Sequence, residues 1–125
     1  MTRLCVAAAA VAVLAWLGVM ERNLRLQEKG LAATAQQDFA RADQHFRRAG
    51  LLNPDTTPEL QRAYVHALRG RRDRAIATVQ EVLRREPENR NAWGLLRGFV
   101  PDGESPIAKR ARAELRRLSP LDARR

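Results

Sequence analysis

Alanine stands at 42, 75 and 108, and proline at 54, 87 and 120. Both series have a period of 33 residues, and no other feature restricts the fold as much. Self-similarity in this range is the signature of an array of small supersecondary units. Each such unit is too small to bury its apolar face alone, so it obtains a core only against a neighbour.

The middle unit is the clearest. Thr56-Thr57-Pro58-Glu59 predicts a helix start, with threonine as cap, proline in the first turn and Glu59 placed as in a capping box. Leu60, Ala63, Tyr64, Ala67 and Leu68 follow at helical spacing as one apolar stripe. Gly70 in "RGRRD" predicts the turn, and Ala75, Ile76, Val79, Val82 and Leu83 form a second stripe that Pro87 ends. The last unit repeats this plan. Trp93, Leu96 and Phe99 lie on a first helix, Gly103 in "PDGES" takes the place of Gly70, and Ser105-Pro106 caps a second helix. Ile107, Ala108, Leu115 and Leu118 continue it to Pro120. The first unit is expected to use Leu24, Leu31 and Ala35, then Phe39, Ala42, Phe46, Ala49 and Leu52.

These residues resemble the tetratricopeptide repeat (TPR). That family has alanine early in the second helix, a larger apolar residue four later, alanine seven later and proline twelve later. Ala42, Phe46, Ala49 and Pro54 match all four, and Ala75, Val79, Val82 and Pro87 match with one conservative change. The third unit keeps Ala108 and Pro120, with Arg112 and Leu115 between them. Gly70 and Gly103 match the turn glycine, which Gln37 replaces in the first unit. The resemblance implies a scaffold that binds a protein or peptide in a groove lined by the first helices. The comparable residues here are Gln27, Leu31, Leu60, Tyr64 and Trp93, with plain packing the preferred reading of Tyr64 and Trp93. Some family members hold a peptide carboxylate with lysine and asparagine on that face, and this set has neither.

Residues 4–20, "LCVAAAAVAVLAWLGVM", carry no charge and no proline. A helix of this length spans about 25 Å at ~1.5 Å per residue, against a hydrocarbon core of about 30 Å. A membrane anchor is the preferred reading. A cleaved signal peptide fits less well, because Met20, Glu21 and Arg22 follow where small residues are wanted. A buried core helix is the third reading. Arg22, Arg25 and Lys29 against Arg3 favour a cytoplasmic carboxyl side, whereas the very short leading segment suits export, so the two signals oppose. With Leu17, Leu24 and Leu31 seven apart, the anchor helix either continues into the first repeat or joins it through a hinge at Glu21-Arg22-Asn23.

The balance after position 20 is 22 basic against 14 acidic residues, or +8. Arginine dominates, as a GC-rich genome alone would produce. Asp43/Arg47, Glu81/Arg85 and Arg110/Glu114 are spaced as i, i+4 pairs on solvated faces. Residues 105–125 hold seven basic and two acidic residues, +5. Lys109, Arg110, Arg112, Arg116 and Arg117 could therefore meet anionic lipid or nucleic acid. The lack of interleaved aromatics argues against single-stranded nucleic acid. His45 and His66 lie in different units with no matching Cys or acid, and Cys5 is the single cysteine. Catalysis, a metal and a cofactor are all unexpected.

The expectation is an all-α chain of bacterial type: a transmembrane anchor (1–21), an α-solenoid of about three TPR-like repeats (22–121) and a basic tail (122–125). Its expected role is a membrane-anchored adaptor for a protein partner, with self-association as one way to cover the uncapped last helix. The alternative is an anionic-surface binder acting through that helix.

Overall fold

The computed structural model describes residues 2–119. Pro120 and the basic tail at 122–125 lie outside them. The described residues form six helices and no strand: α1 Thr2–Ala35, α2 Phe39–Ala49, α3 Thr57–Leu68, α4 Arg72–Arg85, α5 Arg90–Phe99 and α6 Pro106–Leu118. They divide into two compact units, Met1–Pro58 and Glu59–Arg125.

The first unit is a helical hairpin extended at one end. α1 is a single helix of 34 residues and passes through Glu21-Arg22-Asn23 without a break. It contains the one stretch among the described residues that is long and apolar enough to cross a membrane, and almost none of that window is buried. A three-residue connection returns the chain as α2, capped by Asp38 Oδ1 accepting from the Arg41 amide. The two helices meet where Gly30 faces the Phe46 ring. A Cβ at Gly30 would lie 2.5 Å from Phe46 Cε1. Ala33, Ala42, Phe46 and Ala49 are buried.

The expected stripe on α1 is corrected here. Leu24 and Leu31 are exposed, as is Ala35, while Asn23, Gly30 and Ala33 are buried. The face turned to α2 is read from small residues because Phe46 needs the room. Leu52 also departs from its expected place. It lies beyond the end of α2, is 77% exposed, and holds a left-handed backbone with φ 61°.

The turn after α1 shows how the missing glycine is managed. The Asp38 amide donates to the Ala33 carbonyl (2.9 Å) and the Gln37 amide to Thr34 (3.0 Å). The same pair of bonds recurs after α3, from Arg71 to His66 (2.9 Å) and from Gly70 to Ala67 (3.0 Å). This is a Schellman closure, which puts its central residue in the left-handed region. Gly70 takes φ 73° there and Gln37 takes φ 60°. A side chain in that region costs about 1–2 kcal/mol, partly offset by the entropy that glycine would lose. Gln37→Gly should therefore raise stability by roughly 0.5–1 kcal/mol, read as a higher thermal midpoint of helical circular dichroism. Gly103 does not repeat the device, because Gly70 is the one glycine with positive φ among the described residues. That turn is instead organised by Asp102, whose Oδ1 accepts from the Glu104 amide at 2.9 Å.

The second unit owns the larger core. Leu60 and Ala63 of α3, Ala75, Val79, Val82 and Leu83 of α4, Ala92, Trp93, Leu96 and Phe99 of α5, and Ala111 of α6 bury one another. Tyr64 and Leu68, read as part of the α3 stripe, are exposed, while Val65 and His66 are buried. Alanine at 63, 75, 92, 108 and 111 has relative exposure of 2% or less, which allows close helix approach. Asn89 caps α5 by accepting from the Ala92 amide (3.0 Å), and Ser105 caps α6 by accepting from Ala108 (3.2 Å). Pro106 stands in the first turn of α6, as its fixed φ favours.

Candidate interaction surface

Of the residues expected to line a groove, Gln27 and Leu31 belong to the first unit and Leu60, Tyr64 and Trp93 to the second. Leu31 and Tyr64 are exposed, at 54% and 48%, and Gln27 is half-buried. Leu60 and Trp93 are at 7% and 6% and belong to the core, so neither offers an open side chain. The reason is periodicity. Leu60 shares the face of α3 that carries Ala63, and Trp93 lies on the face of α5 that carries Leu96.

Trp93 nevertheless shows one edge to a concavity. A cleft of about 600 Å³ opens in the second unit, lined by Leu83, Pro87, Trp93, Leu96, Ile107 and Arg110. Ala77, Gln80 and Arg84 complete it. Its floor is rigid by construction. Trp93 Nε1–H donates to the Pro87 carbonyl at 2.8 Å, which locks the indole against the end of α4. The Arg110 guanidinium lies 5.7 Å from the Trp93 ring centroid, within cation–π range. Ile107, 38% exposed, forms part of the rim.

The remaining cations of α6 are mostly engaged within the unit. Arg112 donates to the Gly103 carbonyl (2.5 Å) and approaches Glu104 (3.3 Å); Lys109 also reaches Glu104 (3.4 Å). Arg117 donates to Glu114 at 2.8 Å and lies 3.5 Å from Glu88. The hydrogen bond to Glu114 raises the Arg117 guanidinium above its ordinary value. Arg116 is exposed. Two expected pairings are corrected. Glu81 pairs with Arg84, while Arg85 crosses to Glu59 on α3. Arg110 turns to Trp93, and Glu114 takes Arg117 instead. Third-neighbour and tertiary partners win because the helix faces that carry them are already brought together by the core. Among the described residues, no cluster of His, Cys, Asp or Glu is arranged to hold a metal ion.

Successive helices joined by short turns, buried alanines on each of them and Schellman turns 33 residues apart define a TPR-like helical array. The solved structure of an Arabidopsis OM64 TPR domain shares this fold, with a TM-score of 0.63. The match has 22% sequence identity and covers 86% of this chain and 88% of that domain. No family model matches the sequence, and no curated protein matches it.

Proposed function

We propose that this chain is a membrane-anchored TPR-like adaptor that binds a protein or peptide segment within an envelope or membrane complex. The observation that carries the reading is the cleft of the second unit. Trp93, Leu96 and Ile107 supply apolar lining, and Arg110 supplies a cation beside it. Such a lining suits a segment that presents an apolar side chain next to a carboxylate. No lysine-asparagine carboxylate grip is needed for it, because the Arg110 guanidinium lies beside the indole. Leu31 and Tyr64 are further exposed candidates for contact. α1 supplies the anchor: its apolar run has no covering helix in the first unit over residues 6–18 and is exposed throughout that stretch. The alternative, an anionic surface bound through α6, is disfavoured because Lys109, Arg112 and Arg117 already have acidic or carbonyl partners.

The test is to extract the full chain in mild detergent through a carboxyl-terminal tag and identify what co-purifies at low and moderate salt. A defined protein that survives moderate salt is expected, since burial of apolar side chains is not driven by counterion release. Ile107→Glu should release that protein while helical content is unchanged. Recovery of salt-labile nucleic acid or lipid alone, with no protein, would overturn the adaptor reading.

A further inference from the structure

The turn that follows α2 carries an apolar pair with no cover. Leu51 is 59% exposed and Leu52 77%. Leu52 also holds the left-handed backbone that leucine avoids. Strain of this kind is retained where the displayed conformation serves a purpose. The geometry of the hairpin says what lies beside it.

α2 runs back along α1, and the Gly30–Phe46 contact sets their register. α2 ends at Ala49, about level with Gln27, and the leucine pair follows in the turn beyond it, toward Leu24, which is four residues past the last apolar residue of the run, Met20. That offset is about 6 Å at ~1.5 Å per residue. The interfacial zone of a bilayer extends about 5–8 Å beyond the hydrocarbon on each side. The run itself, at about 25 Å, is shorter than the roughly 30 Å core, so bilayer thinning or inclusion of flanking residues must make up the difference.

We propose that Leu51 and Leu52 form a second membrane contact, seated in the lipid interface beside the end of the α1 span. This rests on the reading of α1 as an anchor. The exposed Leu24, on α1 between this turn and the apolar run, extends the apolar contact. Residues 21–29 and 47–55 bring Arg22, Arg25, Lys29, Arg47 and Arg48 against Glu21, Glu28 and Asp55, a net cationic collar. Glu21 is already paired with Arg25 at 2.6 Å. Exposed arginines here can lay their stems on apolar surface and place their guanidinium groups among headgroups. Two contacts fix the tilt of the hairpin, which a single span leaves loose.

The experiment uses the full chain in phosphatidylcholine vesicles containing a minority of phosphatidylglycerol. On a Cys5→Ser background, Ala12→Cys, Leu51→Cys and Gln36→Cys each carry an environment-sensitive fluorophore, and spin-labelled lipids serve as quenchers. The Ala12 and Leu51 reporters should shift to the blue and be quenched, Leu51 most by labels near the headgroup. The Gln36 reporter, at the far end of the hairpin, should remain water-like. A quenched Ala12 with Leu51 indistinguishable from Gln36 would overturn the second contact and leave the anchor standing. An unquenched Ala12 would overturn the anchor reading and this proposal with it.

Discussion

Gly30→Ala should lower the stability of the first unit by roughly 1–3 kcal/mol, the range for forcing a methyl into a packed core. Helix propensity alone points the other way, since alanine is favoured over glycine by about 1 kcal/mol inside a helix. Packing decides the sign. The new Cβ would lie 2.5 Å from Phe46 Cε1 and 2.7 Å from both Cδ1 and Cζ. The ring has nowhere to go, because Phe46 is 1% exposed and lies between Ala42 and Ala49, both at 0%. The check is thermal unfolding of the detergent-solubilised chain, followed by helical circular dichroism. Gly30→Ala with Phe46→Leu should recover part of the loss, since contacting sites couple by about 0.5–3 kcal/mol. A Gly30→Ala chain as stable as the parent would show that the hairpin does not close on this contact.

Trp93→Ala is expected to be the most damaging single change in the second unit, at about 3–5 kcal/mol for a buried aromatic truncated to alanine. Three losses combine. The indole fills the core beside Leu96 and Phe99. Its Nε1–H is the donor to the Pro87 carbonyl, and its ring carries Arg110. Trp93→Phe separates these effects. It keeps most of the volume and an aromatic face, and loses a hydrogen bond with a net value of about 0.5–1.5 kcal/mol. The phenylalanine variant should therefore fold, with a slightly lower melting midpoint, and bind the partner more weakly because the cleft floor is no longer locked. Equal binding by parent and Trp93→Phe would move the contact surface away from this cleft.

The second unit was largely legible from sequence. Leu60, Ala63, Ala75, Val79, Val82, Leu83, Leu96 and Phe99 were read from spacing and are all buried. The caps at Ser105-Pro106 were legible for the same reason, since capping is a local event. Two things were not. Spacing marks which residues are apolar and periodic, so it selected Leu24 and Leu31 on α1 in preference to Asn23 and Gly30. The leucines instead continue the line of the apolar run. Spacing also could not separate a groove residue from a core residue. Trp93 is a candidate for both, with packing preferred, and it lies in the core with one edge in a cleft whose other walls come from α4 and α6.

By itself the sequence determined that the regular elements of the described residues are all helices, that its units recur every 33 residues, and where most helices begin and end. Period, capping and proline placement act within a turn or two of backbone, so they need no knowledge of the fold. Only the tertiary structure decided that α1 turns Gly30 toward Phe46, that Gln37 accepts a glycine's backbone, and that Arg85 reaches Glu59. Each of those depends on which surfaces meet after the chain has folded back. Close packing then sets the outcome, against glycine's helix propensity at Gly30, against φ preference at Gln37, and against the nearest i, i+4 partner at Arg85.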